Sequence, residues 1–349
     1  MGVISLVIAI LGLNLLIFVH ELGHFLAAKL AGIKVYEFMF GLPGPKIFSF
    51  NLGETSYGAT TIPFGGYVRF AGMDPHEELS KADRARAFNT KPMWQRISII
   101  LAGPLMNLIL PIMLIAIVLM VGIPTPTTAI AKILPNSPAF EIGLRSEDKI
   151  ISIEGKKTPE WSEIIEIIQK HPRKRVKVEV MRGRKRMTFY PTLTTKDSRG
   201  FLGIETKLEK KKETPLSAVH RGTIATGMAT VKVCQAIYDL FTKGGLLQQA
   251  RGPVGIIHET TLIAKENLLF FLQVLALISI HLAVINLFPI PPLDGGRLAI
   301  LGVEVVRGRP IDPYKLVVIQ GILFSLLMAL IIYLTMADIQ RLLIYLGGL

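Results

Sequence analysis

A chain of 349 residues that is 50% hydrophobic, with a mean hydropathy of +0.48, is too apolar for an ordinary soluble enzyme and long enough for two or three structural units. Its net charge of +13 sits on no recognisable nucleic-acid fold, so the basic residues are expected to face anionic lipid and cytoplasm, with no nucleic acid as partner. The single cysteine, Cys234, excludes an intrachain disulfide, so any extracytoplasmic domain must hold together by its core.

The first apolar stretch runs from about Val3 to Leu30. No Lys or Arg precedes Lys29, and no small-residue cleavage site stands out, so it reads as a retained helix and not a signal peptide. Near its end lies His20-Glu21-Leu22-Gly23-His24. On a helix, positions i and i+4 share a face, so two imidazoles at that spacing can converge on one metal, with Glu21 beside them as a base. Ionisable residues inside a span are costly, and three within five positions have no plain packing explanation.

The loop that follows contains Thr55–Phe70, rich in β-branched and aromatic residues and interrupted by Gly and Pro, which predicts a β loop beside the membrane helix. A second span is expected from about Ile97 to Ile123. Segment 127–195 predicts a small β-rich domain. Strands are expected at Ala129–Leu134 and Lys149–Ile153, one helical turn at Ala139–Leu144, and a helix at Trp161–Gln169. A hairpin is expected around Arg182-Gly183-Arg184. The phrases Ser137-Pro138-Ala139, Gly143-Leu144 and Asp148-Lys149-Ile150 in that order resemble a PDZ domain, which takes a peptide as an added strand. Pro215–Lys243 is amphipathic and too polar to span. It fits an interfacial helix, or a soluble helix packed on the β domain.

A third span is expected from about Leu268 to Pro289 and a fourth from about Leu316 to Ala337. Between them, Asn286 to Gly296 holds three prolines, Asp294 and two glycines, a helix break near the membrane interface. Catalytic zinc takes three protein ligands and leaves one position open. His281 and Asp294 are the candidates for the third. The two-His-plus-carboxylate rule ranks Asp294 first, and a plain N-cap is its other reading. Segment 31–96 carries eight Lys and Arg, and segment 297–315 four. Positive-inside bias then places both in the cytoplasm and both termini outside. The expected divisions are a membrane core at 1–123, a PDZ-like domain at 124–200, an interfacial segment at 201–267 and a second part of the core at 268–349.

Together these motifs resemble the site-2 protease family of intramembrane zinc metalloproteases (peptidase M50), in its bacterial branch of regulators of sigma-E. Further phrases fit: Ile62 to Val68, Ala87-Phe88-Asn89, Ala102 to Asn107 and Gly252 to Ile256. The resemblance implies a polytopic α-helical membrane protein with four transmembrane helices, a cytoplasmic-side membrane-reentrant β loop and one inserted extracytoplasmic PDZ-like domain. It implies Zn2+ on His20, His24 and Asp294, Glu21 as catalytic base, and Asn286 contacting substrate backbone. The implied substrates are single-span membrane proteins, such as anti-sigma factors trimmed by another protease or remnant signal peptides. Some relatives carry two tandem PDZ domains, and segment 124–214 has room for one. A non-proteolytic PDZ scaffold with a structural metal is the competing reading, against which Glu21 argues, since a structural site needs no base. A metal transporter would need polar residues along the second and fourth spans, which offer almost none.

Overall fold

The computed structural model describes residues 2–63, 65–73, 77–243, 251–309 and 311–347. They form two compact units, one of Met1–Val118 with Pro215–Leu349 and one of Leu119–Thr214.

The first unit opens with helix α1, Gly2–Leu30. Gly32, in the left-handed region at φ 67°, lets the chain turn out of it. Four strands follow: β1 (Val35–Phe40), β2 (Lys46–Leu52), β3 (Thr55–Thr60) and β4 (Gly66–Phe70). They pair in the order β2-β3-β1-β4, with β1 and β3 parallel and the other pairs antiparallel. The expected loop at 55–70 therefore supplies only half of a sheet, and residues 35–52 supply the rest. One short helix, α2 (Lys81–Arg84), precedes α3, Met93–Val121, which contains Pro104 and Pro111.

The second unit is a β domain. Its elements are β5 (Ile123–Ile133), α4 (Pro138–Glu141), β6 (Lys149–Ile153), β7 (Lys156–Lys157), α5 (Trp161–Gln169), β8 (Val178–Arg182) and β9 (Lys185–Phe189), then β10 (Thr194–Lys196), β11 (Arg199–Phe201) and β12 (Ile204–Lys211). The main sheet runs β12-β5-β6-β8-β9, and α5 closes a core around Ile130, Ile150, Ile153, Ile164, Val178 and Val180. The expected hairpin is β8–β9, turned by Gly183 at φ 58°. The expected boundary at residue 200 is corrected: β12 pairs with β5 from Ile204 to Lys211, so the domain continues to Thr214. The charged stretch at its end looks solvent-facing in sequence because an edge strand keeps polar side chains outward.

The chain returns to the first unit with α6 (Pro215–Lys243), α7 (Pro253–Glu266), α8 (Leu268–Asn286), α9 (Asp294–Arg307) and α10 (Pro313–Gly347). Helix α6, expected as an interfacial helix or one packed on the β domain, belongs to the first unit and packs Val233 against Ile280 and Val284 of α8. Helix α7, folded into the expected interfacial segment 201–267, instead lies against α1, α8 and α10. Among the described residues, four helices are long and apolar enough to cross a membrane: Gly2–Leu30, Met93–Val121, Leu268–Asn286 and Tyr314–Ile344.

Candidate active site

The site forms where α1, α3 and the break between α8 and α9 meet. His20 and His24 stack one turn apart on α1 and are buried. Helix α3 approaches them closely because Gly103 faces both rings: a Cβ there would sit 2.3 Å from His24 Nε2 and 2.9 Å from His20 Cε1. Gly23 answers from α1, where a Cβ would sit 2.3 Å from the Ala102 carbonyl oxygen. Small residues at both points let the two backbones close.

Asp294 opens α9, buried, with Leu293 as the N-cap residue. The Asp294 carboxylate points at the imidazoles and caps nothing. The tight turn behind it depends on Gly295 and Gly296, where Cβ atoms would strike the Leu287 oxygen at 2.2 Å and the Pro291 nitrogen at 2.3 Å. Asp294 Oδ2 lies 3.0 Å from His20 Nε2 and 3.3 Å from His24 Nε2, and the two Nε2 atoms are 3.2 Å apart. Zinc bonded at about 2.0–2.1 Å in a tetrahedron sets its ligand atoms roughly 3.3 Å from one another, so these three atoms suit one ion. His24 Nδ1 donates to the Ile99 carbonyl at 2.8 Å, which leaves its Nε2 free for a metal. Asn286, the last residue of α8, brings Nδ2 to 3.4 Å from His20 Nε2.

His281 is not brought to this cluster. Its Nδ1 donates to Leu277 O, 2.8 Å away and one turn back in its own helix.

A cavity of about 870 Å³ opens from His20, His24, Asp294 and Glu21. Tyr67, Val68, Arg69 and Phe70 all line it. Side chains alternate along a strand, so four consecutive lining residues mean that the cavity meets β4 along its edge. Among the described residues β4 pairs only with β1, so that edge is open. Gly66, at the head of β4, comes close to Glu21: a Cβ there would be 3.6 Å from Glu21 Cγ. Tyr67 donates to Glu37 Oε2 at 2.9 Å. Burial first, then that hydrogen bond, pushes its phenol up to about 12, so it stays protonated near neutrality.

Sequence reasoning missed a role for α3. Asn107 is fully buried, with Nδ2 3.3 Å from His20 Nδ1. The signal was an amide four residues after Gly103 in the otherwise apolar stretch from Ile99 to Val121.

The model of Peptidase family M50 matches residues 8–330. The regulator of sigma-W protease RasP of Bacillus subtilis is 32% identical over 408 aligned positions, covering 94% of this chain and 96% of its own length. The zinc metalloprotease RasP of Bacillus licheniformis is 31% identical, with the same coverage of 94% and 96%. One solved structure, the PDZ domain of an SdrC-like protein from Listeria monocytogenes, is 22% identical over 24% of this chain and 90% of its own. Its TM-score is 0.22. A family match over nearly the whole chain, on a bundle of membrane-crossing length whose two histidines and carboxylate suit zinc, leads to one conclusion: the chain belongs to peptidase family M50 and is a multi-pass, intramembrane zinc metalloprotease.

Proposed function

We propose that His20, His24 and Asp294 hold the zinc ion, that Glu21 is the catalytic base, and that the substrate is a single-span membrane protein cut within or near the bilayer. The observation that carries this is the triangle of ligand atoms, 3.0–3.3 Å on each side, with Glu21 lining the same cavity. Zinc, when bound, supplies Lewis acidity that polarises the scissile carbonyl and acidifies a water. Glu21 accepts a proton from the attacking water and delivers it to the leaving amine nitrogen. Asn286 donates from Nδ2 to the substrate backbone beside the scissile bond and fixes its position.

A peptide bond inside a transmembrane helix is hidden by the helix's own hydrogen bonds. The open edge of β4 offers replacement partners, so the substrate unwinds and adds as a strand along it. Membrane re-entry of the sheet is supported by Asn14. This residue is buried in α1, six positions before His20 and sixteen before Leu30, and its Oδ1 accepts the Gly65 N–H at 2.7 Å. Sixteen residues of helix correspond to about 24 Å, which puts the head of β4 deep beside α1. Positive-inside bias supports cytoplasmic placement of that sheet and extracytoplasmic termini and β domain. The β domain is proposed as the PDZ-like module. The B. subtilis relative is named a regulator of sigma-W, which supports an anti-sigma factor as substrate class, with a remnant signal peptide as the other class proposed.

The test uses purified full-length protein and a single-span peptide. Cleavage by wild type, mapped within the apolar segment and lost in Glu21→Gln, supports the reading. Cleavage that persists in Glu21→Gln removes Glu21 as the base.

A further inference from the structure

The two histidines are held from behind by the same helix in different ways. His24 has a backbone carbonyl, Ile99 O, behind Nδ1, and a carbonyl can only accept. His20 has the side-chain amide of Asn107, which can present either its NH2 or its oxygen. With Nδ2 turned toward His20, Asn107 Oδ1 is left buried with no hydrogen-bond partner among the described residues. An unpartnered buried acceptor is costly. Turning the amide over exchanges the two ends, carrying the NH2 to the unpartnered position and bringing the oxygen to His20 Nδ1. The oxygen then meets Nδ1–H, the tautomer His20 must have when Nε2 serves a metal.

The backbone at Asn107 is pinned as well. Pro111, four residues on, has no N–H to offer the Asn107 carbonyl. Ser279 of α8 takes the place of that missing donor, its hydroxyl donating to Asn107 O at 2.8 Å. A proline on α3 and a serine on α8 therefore fix where the Asn107 side chain starts, and Gly103 lets it reach His20.

We propose that Asn107 is a positioning residue: its side-chain oxygen accepts Nδ1–H of His20 and holds that imidazole with Nε2 turned toward the metal. The proposal deepens the site reading above and rests on His20 being a ligand.

The test is metal affinity, not turnover. Full-length protein stripped by a chelator is titrated with Zn2+ against a competing chelator, comparing wild type with Asn107→Asp and Asn107→Leu. Asp keeps an acceptor oxygen, whereas Leu keeps the bulk and removes it. The expected result is a Kd about 10–100-fold weaker in Asn107→Leu, with Asn107→Asp binding at least as tightly as wild type. Wild-type affinity in Asn107→Leu, or an equal loss in both variants, overturns the proposal. Should Asn107→Leu not fold, 15N-histidine spectra of the zinc-loaded wild type decide. A protonated Nδ1 on His20 supports the proposal, and a protonated Nε2 overturns it. A wild type that takes up no Zn2+ defeats the ligand assignment and this proposal together. A wild type that binds zinc beside an unaffected leucine variant defeats only the role of Asn107.

Discussion

The two units bury polar groups for different ends. In the β domain the buried carboxylates Asp148 and Glu179 are matched locally. Asp148 accepts from both Arg182 Nε and Nη2 at 2.7 Å and from Arg145 N at 2.8 Å. Glu179 is met by Lys177, Ser152 and Arg186. These bonds fix strand ends and turns around an apolar core. In the helical unit three buried polar groups converge instead: His20, His24 and Asp294 bring their ligating atoms to one point. Polar groups satisfied by one another build a fold, whereas polar groups aimed at a shared point await a ligand. Substitutions in the two units should therefore separate catalysis and metal binding from plain stability.

The largest separation is expected at Asn286. On its proposed role as a donor to substrate backbone, Asn286→Ala should lower kcat by about 10²–10³-fold while zinc content and thermal stability stay near wild type. An equal loss of zinc would make Asn286 a structural neighbour of His20 instead. Gly103→Ala comes next. Its new Cβ has no room beside His24 Nε2, so zinc affinity should fall by about 10-fold or more, as measured by chelator competition. In the β domain, Asp148→Asn weakens its ion pair with Arg182 and should lower unfolding stability by about 1–3 kcal/mol in urea titration, with zinc affinity unchanged.

The smallest effect is one of pH. Lys177 first, then Ser152 and Arg186, hold the Glu179 carboxyl down to about 2. A lowered carboxylate contributes stability that is complete above the unfolded value of about 4.3 and is lost as pH falls through the folded one. Hydrogen exchange in β6 and β8 of the full chain should therefore speed up between roughly pH 4 and 2, and Glu179→Gln should flatten that dependence. Equal acid sensitivity in the variant would assign the effect to other carboxylates.

Legibility in the sequence followed the range of the interaction. The spans, α5 and the β8–β9 hairpin announce themselves through local periodicity and turn residues. His20 and His24 are legible because helix spacing alone makes them neighbours, and Asp294 because a break at membrane depth is rare. Strands β1 and β2 were not legible: their partners are set by the parallel pairing of β1 with β3, a contact across some twenty residues. Strand β12 hid behind its charges, because its ladder with β5 spans nearly eighty residues. Asn107 lies 87 positions from His20, and only the register of α3 against α1, set by Gly23 and Gly103, joins them.

The central claim is the division of labour among four side chains, and zinc content per chain tests it most directly. Metal analysis after dialysis against a mild chelator should find about one zinc in wild type and in Glu21→Gln, and almost none in His24→Ala or Asp294→Ala. Zinc retained in Asp294→Ala, or lost in Glu21→Gln, would contradict the assignment of three ligands and a separate base.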